Sequence, residues 1–321
     1  MAGREFGFST TTDEVLEGVD LQDRTFFITG GYSGLGKETA RALAAKGAKV
    51  IIAGRDAGKL KDAAEEIGHG VETIECDLAS LDSVRTCGAE ARERFDRIDV
   101  LINNAGVMAA PKGQTADGFE TQFGTNHLGH FALTGELMPL IEKGDKPRIV
   151  NLSSRGHHRD RVHFDDPHFE NREYDKWASY GQSKTANVLF SVGLEQRFAE
   201  KGIHAYAVHP GGIVTNLGRH MTQEDMEMMR KRFGARPEED DQSEGRQSAY
   251  KTIPQGAATS CYAATAPELE GKGGVYLEDV HVAEVDDAPD ASGGVKSYAL
   301  DKDGADRLWA LSEKATGIRY G

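Results

Sequence analysis

Cysteine is scarce in this 321-residue chain, and long apolar runs are missing. The three cysteines, Cys76, Cys87 and Cys261, are far apart and odd in number. That pattern argues against a disulfide framework or a cysteine metal site, and it suits a reducing cytosol. No apolar run approaches the ~20 residues needed to span a bilayer. Residues 1–22 also lack the basic start and apolar core of a secretory signal. We therefore expect a cytoplasmic protein without a membrane span.

Positive charge is in deficit as well. Lys and Arg total 38 against 52 Asp and Glu, which gives a net charge of −14. Such a balance makes nucleic acid or an anionic membrane a poor partner. The length allows one large domain or two small ones. We expect an N-terminal extension over residues 1–22, in which a capping box at Thr11–Glu14 opens a short helix through Leu16, and a single domain over residues 23–321.

Strand and helix patterns alternate regularly along the chain. This alternation predicts an α/β fold, a doubly wound parallel sheet of about seven strands with helices on both faces. Ligands of such sheets bind beyond the carboxyl ends of the strands. We predict strands at 25–29, 50–53, 72–76, 98–102, 147–152, 203–208 and finally 275–277, and helices at 37–46, 81–95, 117–142, 179–199, 255–264 and 307–316.

A glycine-rich turn, Gly30-Gly31-Tyr32-Ser33-Gly34-Leu35-Gly36, lies between the first strand and the first long helix. Glycines let the backbone approach a pyrophosphate, and a helix N-terminus presents unpaired N–H groups and a partial positive charge. A flexible turn is the alternative interpretation. The position between a strand and a helix favours a dinucleotide.

The second strand ends in Gly54-Arg55, where NAD-selecting folds carry an acidic residue that binds the ribose 2′-hydroxyl. Arg55 and Lys59 are four residues apart at the start of a helix, so both could face a dianionic 2′-phosphate. A solvated helix start is the alternative. The pattern favours NADP over NAD.

The third and fourth strands end in polar residues. Asp77, followed by Leu78, can cap a helix and can also face an adenine. Asn103-Asn104-Ala105-Gly106 can form a turn, and its small residues would also let a ribose lie close to the backbone. Asn126 lies inside the predicted 117–142 helix, where asparagine is mildly unfavourable and can bend the helix or hold a water.

Tyr180 and Lys184 are four apart on one helix and therefore share a face. A free phenol has a pKa near ~10. A cation about 4 Å away contributes ~4 kcal/mol toward the phenolate in a partly buried site but only ~1 kcal/mol in water. A surface pair is the alternative interpretation. Because every residue singled out here follows a strand or lies on the next helix, we expect the pair to face a cleft.

Together these motifs resemble the full set of the short-chain dehydrogenases/reductases, in the family's order over about residues 22–280. They are Thr29-Gly30-x-x-x-Gly34-x-Gly36, Asn103-Asn104-Ala105-Gly106, Asn126, Ser153-Ser154, Tyr180-x-x-x-Lys184 and Pro210-Gly211. Asn126-His127-Leu128-Gly129-His130-Phe131 resembles the retinol-dehydrogenase-like branch. The resemblance implies a single-domain Rossmann-type fold that uses NADP(H) and no metal. The implied cofactor-binding residues are Gly30, Tyr32, Ser33, Gly34, Leu35, Gly36, Arg55, Lys59, Asp77, Leu78, Asn103, Ala105, Gly106, Tyr180, Lys184, Pro210, Gly211, Ile213 and Thr215.

The same resemblance implies a catalytic tetrad of Asn126, Ser154, Tyr180 and Lys184. Ser154 would hydrogen-bond the substrate oxygen, and Tyr180 would give or take the hydroxyl proton. Lys184, helped by the nicotinamide charge, would lower the phenol pKa and hold the nicotinamide ribose. Asn126 would help retain a water in a proton relay. The family places the substrate-facing serine second, so Ser153 is set aside.

Two segments depart from the common pattern. The interval between Ser154 and Tyr180 is long and contains four histidines, which we interpret as a solvated loop without metal spacing: His157, His158, His163 and His168. Residues 216–252, here called the lid segment, are rich in methionine beside an acidic stretch. Flexible methionines suit an adaptable cover over a substrate, although they could equally pack against the body of the protein.

The predicted function is the NADP(H)-dependent interconversion of an alcohol and a ketone or aldehyde on a medium-sized, fairly apolar substrate. One alternative is a nucleotide-sensing or scaffold protein that has lost catalysis. The other is a sugar-nucleotide epimerase or dehydratase, against which the glycine spacing and the short C-terminal part argue. The expected partner is a small carbonyl or alcohol compound, with a homo-oligomer also allowed.

Overall fold

Eight strands form one sheet in the computed structural model, which describes residues 5–233 and 250–320. Seven of these strands pair in parallel, and the eighth joins one edge antiparallel. The sheet order is β3-β2-β1-β4-β5-β6-β9-β10, and β7 and β8 form a separate two-stranded parallel ribbon. The strands are β1 Thr25–Thr29, β2 Lys49–Gly54, β3 Glu72–Glu75, β4 Val100–Asn103, β5 Arg148–Leu152, β6 His204–His209, β7 Gly212–Ile213, β8 Tyr250–Lys251, β9 Val275–Glu278 and β10 His281–Val282.

Helices cover both faces of this sheet, each face with its own apolar core. One core joins the sheet to α4, α6, α7 and α10, and the other joins it to α1, α2, α3 and α9. The predicted doubly wound α/β class is therefore confirmed. The helices are α1 Thr12–Val15, α2 Gly34–Ala44, α3 Ala57–Ile67, α4 Leu81–Arg94, α5 Thr121–Phe123, α6 Gly129–Ile141, α7 Lys176–Phe198, α8 Gln223–Phe233, α9 Ile253–Thr265 and α10 Lys302–Thr316.

The predicted 117–142 helix is interrupted. A π-helical segment, Gly124–Leu128, joins α5 to α6 and carries Asn126. The Asn126 side chain accepts a hydrogen bond from the Val107 amide at 2.8 Å and donates to the Val107 carbonyl at 2.9 Å. These bonds to a distant loop fix Asn126 at the point where the backbone departs from α-helical spacing, consistent with the expected bend.

Helix α7, which carries Tyr180 and Lys184, begins three residues earlier than the pattern predicted. The Asp175 carboxylate accepts a hydrogen bond from the Ala178 amide at 2.6 Å and caps the helix there. A carboxylate at this position satisfies an amide that has no partner within the helix. All but five residues of this long helix are buried, so it lies in the core on its face of the sheet.

The C-terminal part differs from the prediction in two ways. The strand predicted at 275–277 is not the last, because β10 pairs with it antiparallel. Helix α10 begins at Lys302, five residues before the predicted start, and packs its Trp309 against Phe131 and Phe190 of the core.

The N-terminal helix α1 has the predicted capping box, in which the Thr11 side chain and Glu14 satisfy each other's backbone amides. Its Thr12 hydroxyl donates to Glu38 of α2 at 2.5 Å, so the helix packs on the domain. Within the described residues, helices of the length and apolarity that a bilayer crossing requires do not occur.

Candidate active site

A single continuous cavity of about 1240 Å³ runs along the carboxyl edge of the sheet. The ends of β1, β2, β5 and β6 and the turns that follow β3 and β4 contribute to its wall, as expected for a parallel sheet. The glycine-rich turn lies in this wall together with Tyr180 and Lys184. The predicted site residues that line it are Gly30, Tyr32, Ser33, Gly34, Leu35, Gly36, Arg55, Lys59, Asp77, Leu78, Ala105, Gly106, Ser154, Tyr180, Lys184, Pro210, Gly211, Ile213 and Thr215.

Three positions of the glycine-rich turn require glycine. A Cβ on Gly36 would lie 2.4 Å from the Gly30 carbonyl oxygen, and Gly30 and Gly34 have φ of +66° and +53°. Helix α2 begins at Gly34, and among the described residues no side chain caps its first amides. These amides and the helix dipole favour an anion, so the turn fits the pyrophosphate of a dinucleotide.

The wall beside β2 is formed by an aromatic ring and two basic residues. The Tyr32 ring packs so closely on Gly54 that a Cβ there would lie 2.6 Å from it. Arg55 and Lys59 both line the cavity and are exposed. Lys59 forms an ion pair with Asp56 at 3.1 Å, so its charge is partly balanced within the helix start.

Asp77 lines the cavity, but it does not cap the next helix as its sequence position suggested. Its carboxylate accepts a hydrogen bond from the Ala79 amide at 3.0 Å, while the residue also lines the cavity. The cap of α4 is Ser80, whose side chain accepts from the Ser83 amide. Asp77 therefore shapes the turn before the helix rather than the helix start itself.

The Asn103 side chain lies apart from the other predicted cofactor-binding residues. Its side chain does not line the cavity but donates to Thr134 at 3.1 Å and to Asn151 at 2.8 Å inside the core. Successive residues leaving a strand point in opposite directions, so Asn104 lines the cavity instead. The Asn104 amide group donates to the Thr29 carbonyl at 2.7 Å and joins the ends of β1 and β4.

Ser154 and Tyr180 meet in the cavity wall. The Ser154 hydroxyl accepts from the Gly156 amide at 3.0 Å, and its hydrogen bond to the phenol favours the phenolate. A Cβ on Gly156 would lie 2.7 Å from the Tyr180 ring, so only glycine fits beside it. The Ser153 hydroxyl instead donates to the Lys184 carbonyl at 2.8 Å, which leaves Ser154 as the cavity-facing hydroxyl of the pair.

The pKa of Tyr180 differs from the expectation. Burial raises the pKa of Tyr180 to about 12, and the Ser154 hydrogen bond offsets only part of that rise. The Lys184 ammonium lies 5.7 Å from the Tyr180 ring centre and donates to the Leu152 carbonyl at 2.9 Å. Lys184 alone therefore does not lower the pKa of the phenol below its ordinary value, because burial also disfavours the charged form of the lysine. Tyr180 is a neutral phenol at pH 7.

Burial has the opposite effect on the amine, and it lowers the pKa of Lys184 to about 7. A buried amine loses hydration of its charged form, which favours the neutral form. Gly106 lies beside both residues, since a Cβ there would be in ordinary contact with the Lys184 amine at 3.7 Å but too close to the Asn126 amide oxygen at 3.1 Å. Lys184 is therefore poised between its charged and neutral forms at physiological pH.

A buried histidine that the sequence analysis did not select connects Asn126 to the glycine-rich side of the site. The Asn126 carbonyl can only accept, so His130 Nδ1–H donates to it at 2.9 Å. Burial lowers the pKa of His130 to about 4, so Nε2 accepts from the Thr29 hydroxyl at 2.9 Å. That hydroxyl in turn accepts from the amides of Asn104 and Ala105. The Asn126-to-Phe131 motif held the only sequence signal for this chain of bonds.

The histidine-bearing insert is packed rather than solvated, which corrects the expectation for His157 above all. His157 is fully buried, donates from Nδ1 to the Ser154 carbonyl at 2.7 Å, and accepts from the Lys296 amide at 3.2 Å. His168 stacks on Phe119. Across residues 5–233 and 250–320, no cluster of side chains suited to a metal ion is found.

The described part of the lid segment forms a short 3₁₀ helix, Asn216–His220, followed by α8. Three of its methionines line the cavity, namely Met221, Met226 and Met229. Residues 234–249 and the Phe233 side chain, which complete the predicted lid segment, lie outside the described residues. Trp177 and Arg219 also line the cavity and were not selected from the sequence.

Known proteins match this chain over most of its length. The family model described as short chain dehydrogenase matches residues 24–226. A short-chain dehydrogenase/reductase from Penicillium rubens, prx1, is 42% identical over 92% of this chain and 85% of its own length. Human retinol dehydrogenase 13 is 38% identical over 93% of this chain and 86% of its own length.

Solved structures share the fold. A Mycobacterium paratuberculosis protein superposes with a TM-score of 0.72 at 34% identity, over 98% of this chain and 99% of its own. A short chain dehydrogenase from Burkholderia cenocepacia in complex with NADP gives a TM-score of 0.62 over 80% of this chain and 96% of its own, and at 24% identity it shows the fold alone. With the matched family model and these relatives, the chain belongs to the short-chain dehydrogenases/reductases and resembles their retinol dehydrogenases.

Proposed function

We propose that this oxidoreductase interconverts an alcohol and a ketone or aldehyde with NADP(H). The observation that carries the proposal is the joining of a phosphate-binding turn and the Ser154–Tyr180–Lys184 group by one cavity. A nicotinamide bound along the sheet edge would supply or accept the hydride. The residues of the chain then need only orient the substrate and move one proton.

Each of the four predicted catalytic residues has a distinct role in this proposal. Ser154 donates its hydroxyl hydrogen to the substrate oxygen. Tyr180, held as a neutral phenol by burial, donates its proton to that oxygen during reduction of a carbonyl. Lys184 holds the nicotinamide ribose, and its charge compensates the phenolate that remains. Asn126 fixes the Val107 loop and, through its carbonyl, the helix that supports the site.

The wall around Tyr180 favours a medium-sized, largely apolar substrate. Trp177 and the three cavity-facing methionines of the lid segment add apolar side chains to the wall of the cavity. Methionine side chains adapt their shape to a ligand and so accommodate related compounds. No metal is needed for the proposed proton and hydride transfers.

The cofactor choice in the proposal depends on Arg55. The position after β2 carries no carboxylate that would bind a ribose 2′-hydroxyl, and the cavity wall there is cationic. Both features of this chain support NADP(H) over NAD(H).

NADPH oxidation with a panel of aldehydes and ketones tests the proposal. We expect turnover of at least some apolar carbonyl compounds, whereas tight NADPH binding without turnover on any would favour a nucleotide sensor. Tyr180→Phe should lower kcat by roughly 10²–10⁴-fold, the usual contribution of a general acid, without loss of NADPH binding.

Tyr206→Phe is the matched control for the tyrosine replacement. Tyr206 is also buried, and its hydroxyl donates to the Leu269 carbonyl at 2.7 Å away from the cavity. Its replacement should cost stability of about 1 kcal/mol and leave kcat unchanged. Equal loss of activity in both variants would contradict the role of Tyr180.

A further inference from the structure

Thr215, the residue that precedes the lid segment, lies against the glycine-rich turn. A Cβ on Gly34 would lie 3.4 Å from the methyl group of Thr215, so this residue and the turn are in contact. The Thr215 hydroxyl accepts from the Leu217 amide at 3.3 Å and starts the 3₁₀ helix Asn216–His220. This short helix brings Arg219 and His220 to the same end of the cavity as Tyr32 and Arg55.

Two guanidinium groups, those of Arg55 and Arg219, line this cavity and act on each other electrostatically. Lys59 has Asp56 as its partner, but neither Arg55 nor Arg219 is within ion-pair distance of a carboxylate in the described part of the chain. The Arg219 guanidinium donates to the Asn216 carbonyl at 3.2 Å. Burial, and then the nearby Arg55 charge, lower the pKa of Arg219. Two like charges in one cavity wall disfavour the protein alone and favour a bound dianion.

The titratable groups around this place act in both directions. Burial, then Arg219 and Arg55, lower the pKa of His220, which favours the neutral imidazole, a group that can donate one hydrogen bond. Tyr32 also lines the cavity and, in contrast to Arg55, favours the charged form of Arg219. A phosphate group that carries two negative charges matches this arrangement, whereas a ribose hydroxyl leaves both guanidinium groups unbalanced.

We propose that Arg219, from the lid segment, and Arg55, from the end of β2, together bind the 2′-phosphate of NADP(H). This inference rests on the cofactor choice in the proposed function. Arg219 would then distinguish NADP(H) from NAD(H), and the bound cofactor would contact the lid segment directly through this residue. NADP(H) would then stabilise the cover of the substrate cavity before the substrate binds, and NAD(H) would not.

Calorimetric titration with 2′,5′-ADP and with 5′-AMP tests the pairing without a substrate. For the parent we expect much tighter binding of 2′,5′-ADP. Arg219→Met and Arg55→Met should each weaken 2′,5′-ADP tenfold or more and leave 5′-AMP within about twofold. Lys231→Met is the control, because it removes a positive charge from α8 at an exposed position that does not line the cavity. It should leave both affinities unchanged.

The results separate this inference from the proposed function. If the parent binds both nucleotides equally, the NADP preference fails and the pairing fails with it. If the parent and Arg55→Met behave as expected but Arg219→Met does not, only the role of Arg219 is overturned. In that case Arg219 serves another anion, such as a group on the substrate.

Amide hydrogen exchange gives a second measurement, because a nucleotide contact limited to the Arg219 side chain would not change exchange across the whole of residues 216–233. In the parent, 2′,5′-ADP should slow amide exchange across residues 216–233 more than 5′-AMP does. Arg219→Met should remove that difference even at saturating nucleotide. Equal protection by both nucleotides in the parent would overturn the proposed hold on the lid segment.

Discussion

Lys184 is an amine held in a dry site, and its burial has an energetic consequence that can be measured. The folded chain has a lowered Lys184 pKa of about 7, against 10.5 for the ordinary side chain. Between these pH values the unfolded chain binds one proton that the folded chain does not. The contribution of Lys184 to stability therefore rises with pH across this window, and its burial is most unfavourable at and below pH 7.

Lys184→Met should accordingly be more stable than the parent at pH 6, by a few kcal/mol. Asn187 also donates to the Leu152 carbonyl, at 2.8 Å, so that carbonyl keeps a partner when the amine is removed. The advantage should shrink as pH rises from 7 toward 10.5. Urea unfolding of both proteins at several pH values measures this difference.

An exposed lysine provides the reference for this experiment. Lys61→Met replaces a side chain that is 76% exposed and should change stability little at any pH. A Lys184→Met protein that is less stable than the parent at pH 6 would contradict the account of the buried amine.

Among the secondary-structure elements, the sequence predicted most helices and strands but not the π-helical segment within one helix. The 117–142 region has helical periodicity throughout, and nothing in that periodicity marks the π-helical segment at Gly124–Leu128. The segment depends on bonds from Asn126 to Val107 and Ser183, which are distant in sequence. Local patterns identify an element, whereas a change in its winding depends on tertiary contacts.

His130 supports this segment, and its loss should affect turnover more than folding. His130→Leu removes the donor to the Asn126 carbonyl and the acceptor for the Thr29 hydroxyl. We expect kcat with a carbonyl compound to fall tenfold or more. His130→Gln, whose amide can donate to the same carbonyl, should recover part of the activity. Steady-state kinetics beside urea unfolding separates activity from stability.

His127 is a matched control from the same segment. It is equally buried, and its ring bonds to the Ser312 hydroxyl at 2.7 Å on the side of α10. His127→Leu should cost similar stability while kcat stays near that of the parent. A similar fall of kcat in both variants would mean that the segment acts only as a structural support.

The lid segment is fixed to the helix of Tyr180 by one buried carboxylate. Asp225 of α8 accepts hydrogen bonds from the Lys176 amine, from the Trp177 indole at 3.1 Å and from the Thr222 amide at 2.8 Å. Burial raises the pKa of Asp225, but these donors outweigh it and lower the pKa to about 2. The carboxylate is charged at any physiological pH, so it holds the lid segment against the wall that Trp177 forms.

Asp225→Asn should loosen this contact and raise the KM for an apolar carbonyl compound severalfold, with a smaller effect on kcat. The chain has two tryptophans, so Trp309→Phe leaves Trp177 as the sole indole reporter. In that background Asp225→Asn should shift Trp177 emission to the red as the ring gains water. Glu224→Gln, at the exposed neighbouring position, should change neither quantity. An unchanged KM and emission would show that Asp225 does not hold the lid segment.

For the whole molecule, the alternation of strands and helices was enough to predict the parallel sheet and the edge at which the site lies. It was not enough for β7, β8 and β10, because two-residue strands leave no periodic signal. The hydrogen bond between His157 and Lys296 could not be predicted either, because the two residues are 139 positions apart and no local pattern connects them. Most predicted site residues line the cavity because their motifs lie at strand ends and helix starts. The exceptions are Asn103, whose side chain strand alternation directs into the core, and Asn126, which bonds to Val107.

Buried imidazoles give the whole protein a predictable sensitivity to acid. Burial lowers the pKa of His127 and His157 to about 3 and that of His130 to about 4, below the ordinary 6.5. Below pH 6.5 these three imidazoles account for up to three protons that the unfolded chain binds and the folded chain does not, and His209, whose pKa burial also lowers, adds to them. Stability should fall as pH drops from 6 to 5, and the three account for up to about 4 kcal/mol of this fall at ~1.4 kcal/mol per proton and pH unit.

Urea unfolding at closely spaced pH values between 7 and 5 measures this slope. His127→Leu should reduce it by about one proton, because one of the three buried imidazoles is then gone. His281→Gln, at an exposed position, should leave it unchanged. Carboxylates contribute little in this range, because their ordinary pKa values of ~4 lie below it. A parent slope of less than one proton between pH 6 and 5 would mean that these imidazoles gain protons inside the folded chain, and the tautomer assigned to His130 would then be wrong.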